Sequence, residues 1–328
     1  MKNRTSIILF CAAVMLAVGV VTPFLGSTSI DFTKALAGQS PDAEIFFYVR
    51  LPRVLLALLA GGALAVTGVL FQALVRDALA DPYVLGVAAG ASLGAVLAIC
   101  FGWHSAGGVS TIWLAASAGA ALTLFLVLGI ATQGRRMSSF TLLLAGVTIN
   151  SICAAAILFL HNIVEFGQSF MVLRWLMGGI EPVAYSTIAW LAVFVLSIVA
   201  VVFARAREWN LLAVGEDWAA ARGVSAQRLM LIGFVAGSLL TGTVTAITGP
   251  IGFVGLIVPH ALRIRWGADH RLLLPCSFLI GAAFLALADT VARTAMAPAE
   301  IPVGVITAML GGPFFIWLLR SKRRSLWL

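Results

Sequence analysis

Ten mostly apolar stretches divide this 328-residue chain, at 6–25, 51–75, 84–103, 111–132, 140–161, 187–204, 229–248, 250–264, 272–292 and 301–320. A membrane-crossing helix takes about 20 such residues, so each stretch reads as a span. The eighth is short and carries Gly249, Pro250, Gly252, Gly255 and Pro259. Hydrophobic residues make up 61% of the chain and charged ones only 10%, against roughly 25% charged in a soluble domain. No water-facing surface can be assembled from that, which excludes soluble enzymes, disordered chains and disulfide scaffolds. The fold class expected is all-α: a polytopic membrane protein of about ten transmembrane helices, one transmembrane domain over 1–328. The first stretch follows Lys2 and Arg4, but its apolar run of ~20 residues exceeds the core of a signal peptide, so an uncleaved span is expected. Segment 165–184, interrupted by Arg174 and Glu181, reads as interfacial.

An even number of spans puts both termini on one side, and the charges indicate which. With the N-terminus inside, only Lys34, Arg50, Arg53, Arg174 and Arg293 of the 21 basic residues fall outside, leaving 16 inside. This positive-inside bias predicts cytoplasmic termini. It also accounts for the net charge of +8 without nucleic acid.

Several chemistries are absent from the sequence. The three lysines, Lys2, Lys34 and Lys322, stand in no Gly-Lys-Ser/Thr context, so the chain has no phosphate-cradling loop of that kind. Cys11, Cys100, Cys153 and Cys276 lie singly in apolar runs and read as small buried hydrophobes, with neither metal-ligand nor disulfide spacing. Ionisable groups are nearly missing from mid-span; Asp289 sits near the outer end of the ninth stretch. An ion-coupled carrier would need carboxylates near the midplane. An intramembrane enzyme would need a dyad that Ser92, without a positioned His, does not supply. If the protein moves something uphill, the energy would enter from elsewhere.

Gly86, Gly90 and Gly94 recur every four residues and predict close helix packing. The polar connector 205–228 carries a two-turn helix signal. Gly215 can cap its start, Glu216 and Asp217 suit the positive end of the dipole, alanines propagate it, Arg222 stands at its end and Gly223 terminates it. Ser225 caps the next span. A helix this short is unstable alone and needs a docking surface.

From about Arg50 onward the chain resembles the permease subunits of bacterial ABC importers for iron-siderophores, haem and cobalamin. The resemblance is carried by Arg50-Leu51-Pro52-Arg53, Leu79-Ala80-Asp81-Pro82, Leu144-Ala145-Gly146-Val147, Leu211 to Glu216, Gly249-Pro250-Ile251-Gly252-Phe253-Val254-Gly255, Pro259-His260, Glu300-Ile301-Pro302-Val303-Gly304 and Gly312-Pro313-Phe314. Where that family usually reads Asn-Pro-Leu-Ala, this chain has Asp77-Ala78-Leu79-Ala80. The resemblance implies a homodimer in membrane lipid with a path at its interface, two ATPase subunits inside that hold the ATP and Mg, and a substrate-binding protein outside. No catalytic residue, cofactor or resident metal is implied in this chain, and an iron-siderophore leads the substrate classes. It further implies that 215–223 is the ATPase-coupling helix, with Gly215, Glu216, Asp217, Ala220, Arg222 and Gly223. By the same resemblance the cytoplasmic gate is expected at Asp77, Leu79, Ser138 and Ser139, an ordinary turn at the membrane surface being the alternative. Arg50, Arg53 and Arg293, which oppose the positive-inside trend, are expected at the outer rim, where they pair with carboxylates of the binding protein; lipid-facing arginines are the alternative.

Overall fold

The computed structural model describes residues 4–77, 80–103, 110–133 and 136–322. Its α-helices run α1 Arg4–Val21, α2 Phe32–Leu36, α3 Asp42–Glu44, α4 Leu51–Val75, α5 Val87–Cys100, α6 Thr111–Ala131, α7 Ser139–Ile163, α8 Phe166–Leu176, α9 Tyr185–Ala204, α10 Ala206–Val214, α11 Glu216–Ala221, α12 Ala226–Thr248, α13 Val254–Trp266, α14 His270–Thr294 and α15 Val303–Lys322. A two-residue antiparallel pair, Thr132 opposite Met137 and Gln133 opposite Arg136, closes the turn between α6 and α7. Nine of the ten apolar stretches are largely helical, the eighth only from Val254 onward, and the segment read as interfacial contains α8. Seven helical runs are long and apolar enough to cross a membrane: Arg4–Phe24, Asp42–Val75, α6, α7, α9, α12 and α14. α5 and the Val303–Ile316 part of α15 are shorter apolar helices.

The eighth stretch differs from a simple span. α13 has 13 residues, about 20 Å at 1.5 Å per residue, against a hydrocarbon core of about 30 Å. The non-helical Gly249–Phe253 stretch leads into it, and Ile251 is fully buried there. Irregular backbone at membrane depth is tolerated only where protein covers it. The second stretch also starts earlier than expected: π-helical Ile45–Arg50 joins α3 to α4.

α4 is the central helix, with twenty of its 25 residues buried. α12 and α14 are the next most enclosed, while α1, α7 and α9 are largely exposed. Glycines allow this density. A methyl group on Gly68 would collide with the Gly255 carbonyl, joining α4 to α13, and one on Gly90 would strike Thr123 and Gly119 of α6. Among lipid-like chains the hydrophobic drive between helices is absent, so such backbone approach supplies the packing. The exposed faces carry Leu122 and Phe125 of α6, Phe140, Leu158 and Phe159 of α7, and Trp190 and Val193 of α9. An apolar surface of that extent requires lipid or another chain.

Candidate functional site

The bundle has two ends worth separate description, and α4 reaches from one to the other. At its C-terminal end, α10 is anchored by Trp209, which is fully buried and donates Nε1 to the Val202 carbonyl at 3.0 Å. Asn210 of the same helix donates to Asp269 at 2.8 Å and accepts from the His270 N–H at 2.8 Å, tying α10 to the first turn of α14. Arg4 of α1 closes on Asp269 at 2.7 Å. Burial works against the ionised Asp269, but the hydrogen bonds from Asn210 and the Arg271 N–H, with the charges of Arg4 and Arg271, hold its carboxyl below the ordinary 3.8.

From this platform the chain turns at Gly215 into α11. Glu216 and Asp217 occupy its first turn. The N–H groups of Gly223 and Val224 cap its last carbonyls, Ala220 and Ala219, each at 3.0 Å, with Gly223 left-handed at φ 77. Ser225 accepts from the Arg228 N–H at 3.4 Å and starts α12. Ala219 faces inward, while Asp217, Ala220 and Arg222 are exposed. Two apolar side chains share that exposure, Trp218 at 58% and Val214 at 67%. The Arg222 guanidinium lies 5.6 Å over the Trp218 ring. Glu216 turns back toward the bundle and accepts from Arg76 at 2.6 Å.

Three of the four residues expected at the gate are described. Ser138 accepts from the Thr141 N–H and caps α7, and Ser139 donates to the Leu74 carbonyl at 2.8 Å. The start of α7 therefore sits against the last turn of α4, two residues from Arg76 and three from Asp77. Leu79 lies outside the described residues. Beyond the loop, the Asp81 side chain caps a 3₁₀ turn, Pro82–Leu85, by accepting from Tyr83 N–H at 2.9 Å. The Tyr83 hydroxyl accepts from the Ile251 N–H, which binds this loop to the entrance of α13.

At the opposite end the three arginines are not rim charges. Arg50, Arg53 and Arg293 are 4%, 8% and 3% exposed. Arg53 grips fully buried Asp289 through Nε at 3.0 Å and Nη2 at 2.9 Å, and gives Nη1 to Glu300 at 2.8 Å. Arg293 lies one turn after Asp289 on α14, 3.8 Å from it, and donates to the Thr22 carbonyl at 2.8 Å. Arg50 donates to the carbonyls of Pro23, Phe24 and Thr28. The expectation of an exposed rim is corrected for a physical reason: an Asp on α14 and the carbonyls of the turn after α1 offer these cations partners inside the protein. Glu300, with its side chain 45% exposed, is the solvent-facing member.

The comparisons follow from this geometry. Residues 7–321 match the FecCD transport family. The chain belongs to that family. It is 37% identical to the hemin transport system permease protein HmuU of Yersinia pestis, over 95% of this chain and 94% of that protein. It is 39% identical to the vitamin B12 import system permease protein BtuC of Escherichia coli O9:H4 (strain HS), over 87% and 86%. A solved inward-facing structure, assigned to the metal-chelate type of ABC transporter, superimposes with a TM-score of 0.83 at 31% identity, over 97% of this chain and 99% of that one.

In this FecCD-family chain a cavity of about 980 Å³ opens beside the arginine end, lined among others by Arg53, Glu300, Arg174, Glu181, Trp113 and Trp175. Arg174 and Glu181 pair in its lining at 3.4 Å and are themselves exposed. Sequence reasoning did not single out Trp218, Arg76 or Gln227. Trp218 carried a readable signal, a large aromatic in a short helix that is otherwise alanine and charge. Arg76 and Gln227 carried none, because their partners lie 140 and 90 residues away.

Proposed function

We propose that this chain is the membrane-spanning, non-catalytic subunit of an ATP-binding-cassette importer that carries a metal chelate across the bacterial cytoplasmic membrane. The observation that carries the reading is the exposed Trp218 and Val214 on and beside α11, a six-residue helix outside every membrane span. An exposed aromatic anchor with a stacked arginine is the make-up of an interface hot spot. The sequence lacks a phosphate-binding lysine loop, so ATP and Mg belong to the partner that α11 docks: a separate ATPase subunit, one per copy of a homodimer. The charge bias supports a cytoplasmic position for α11 and both termini.

Support for the homodimer comes from α7, whose exposed surface includes Thr148, Asn150 and Ser151. A polar run at membrane depth faces a second copy or a path, not acyl chains. At the outer end a substrate-binding protein docks beside Arg50, Arg53 and Arg293, with a carboxylate of the partner competing against Glu300 for Arg53 Nη1. An iron-siderophore is the leading cargo, with haem and cobalamin next, in line with relatives named for hemin and vitamin B12. An ion-coupled carrier fits less well, since Asp289 is committed to Arg53 and Arg293.

Proteoliposomes test this. Ferric ferrichrome, hemin and cyanocobalamin are offered with the permease, its ATPase and its binding protein. Uptake of one of them that needs ATP and all three proteins is expected. Uptake driven by a proton or sodium gradient without the ATPase overturns the reading.

A further inference from the structure

Two side chains join the α11–α12 segment to the two segments assigned to the inner mouth, and each lands one residue short of them. Glu216, the first residue of α11, holds Arg76, which precedes Asp77. Gln227, the second residue of α12, holds Met137, which precedes Ser138; its Nε2 donates to the Met137 carbonyl at 3.2 Å and its Oε1 accepts from the Met137 N–H. The Ser139 hydroxyl completes a ring by donating to Leu74.

We propose that Arg76 and Gln227 are positioning residues that transmit displacement of α11 to both sides of the inner mouth. This rests on reading α11 as the ATPase-docking helix and the segments at Asp77 and Ser138 as the inner mouth. Arg76 is one of two non-glycine residues with positive φ among the described residues, at φ 56 and ψ 31. A side chain is disfavoured in that left-handed region, so a C-terminal cap alone would favour glycine. Arginine there gives up backbone comfort and gains a reach to Glu216. Both partners remain partly exposed, at 39% and 32%, which keeps the pair weak enough to be made and broken in each cycle. Gln227 supplies what a neighbouring strand would, one donor and one acceptor to the same residue, and so fixes Met137 in orientation as well as distance. Glu216 and Gln227 flank one short unit, so a push on α11 reaches both segments at once.

The test uses the permease with its ATPase subunit in nanodiscs, Cys11, Cys100, Cys153 and Cys276 replaced, and Ser138→Cys as a reporter. The maleimide labelling rate is measured without nucleotide and with Mg–AMP-PNP, alongside ATPase retention. Arg76→Gly removes the side chain while suiting the left-handed backbone, Arg76→Lys keeps the cation, and Gln227→Ala removes both bonds to Met137. In the parent the two rates should differ about fivefold or more, the lower range of site-to-site coupling. Arg76→Gly and Gln227→Ala should bring that ratio below about twofold with the ATPase still bound, and Arg76→Lys should preserve most of it. Undiminished nucleotide dependence in both the glycine and alanine variants overturns the linkage. Absence of any nucleotide effect in the parent removes the gate reading, and the linkage with it, so the two failures are told apart by which protein shows them.

Discussion

Arg53 donates to Asp289 through two nitrogens, and Asp289 is fully buried, so the pair behaves as an interior strut. Removing one partner of a buried pair strands the other charge, which costs about 3–5 kcal/mol. Arg53→Ala should therefore lower thermal stability in detergent strongly, whereas Glu300→Ala should cost under about 1 kcal/mol, as for an exposed pair. Equal melting temperatures for the two variants would count against the strut. Asp269 supplies a pH prediction. Its carboxyl is held below the ordinary 3.8, so the ionised form is favoured by folding. The stability it contributes is present above the unfolded value and is lost as pH falls through the folded one. Unfolding curves between pH 6 and 3 should thus steepen at the acid end (below about 4) in the wild type and flatten in Asp269→Asn. The arginine positions were legible in the sequence as an anomaly of charge and side. Their burial was not, because Asp289 lies 236 residues from Arg53 and Thr22 lies 271 from Arg293.

At the scale of the element, α11 is where local sequence and local structure agree most closely. Its acidic start, alanine run and terminating Gly223 are short-range signals, and the helix forms within the expected 215–223. What it leaves exposed is the Trp218 side chain, which an interface would desolvate. Trp218→Ala should weaken capture of the ATPase by about 2 kcal/mol or more, the hot-spot range, roughly thirtyfold in Kd. Gly223→Pro should do so by a different route: proline fixes φ near −65°, which φ 77 cannot accommodate. Pull-down of the ATPase from detergent checks both, and stoichiometric capture by both variants would refute the docking role. α10 shows the opposite case. The sequence reads its stretch as connector, yet it is a nine-residue helix held by Trp209 and Asn210. Its reasons to form are tertiary: a pocket beside Val202 for Trp209 and a side-chain partner for Asn210 in Asp269.

For the whole molecule, the expected outcome is a pair of copies whose inner mouth closes and opens with nucleotide. Cysteines placed at 139 in both copies, on the cysteine-free background, should crosslink in one nucleotide state and not in another. No crosslink in any state would argue against a mouth at the start of α7. The sequence by itself determined the membrane solvent, the helical class, the seven long apolar helices and the family, since each follows from composition, from 20-residue hydrophobic runs or from short ordered motifs. Tertiary structure alone decided that the eighth stretch is a half-length helix entered by non-helical backbone around buried Ile251, where Tyr83 serves Ile251. It also decided that the outer arginines are internal, and that Glu216 and Gln227 face the segments beside Asp77 and Ser138. Hydrophobic periodicity and helix caps are written in neighbours a few residues apart. The pairing of a buried charge or a lone amide is settled by whichever distant helix packing brings within 3 Å, and that information is carried by no local stretch of the chain.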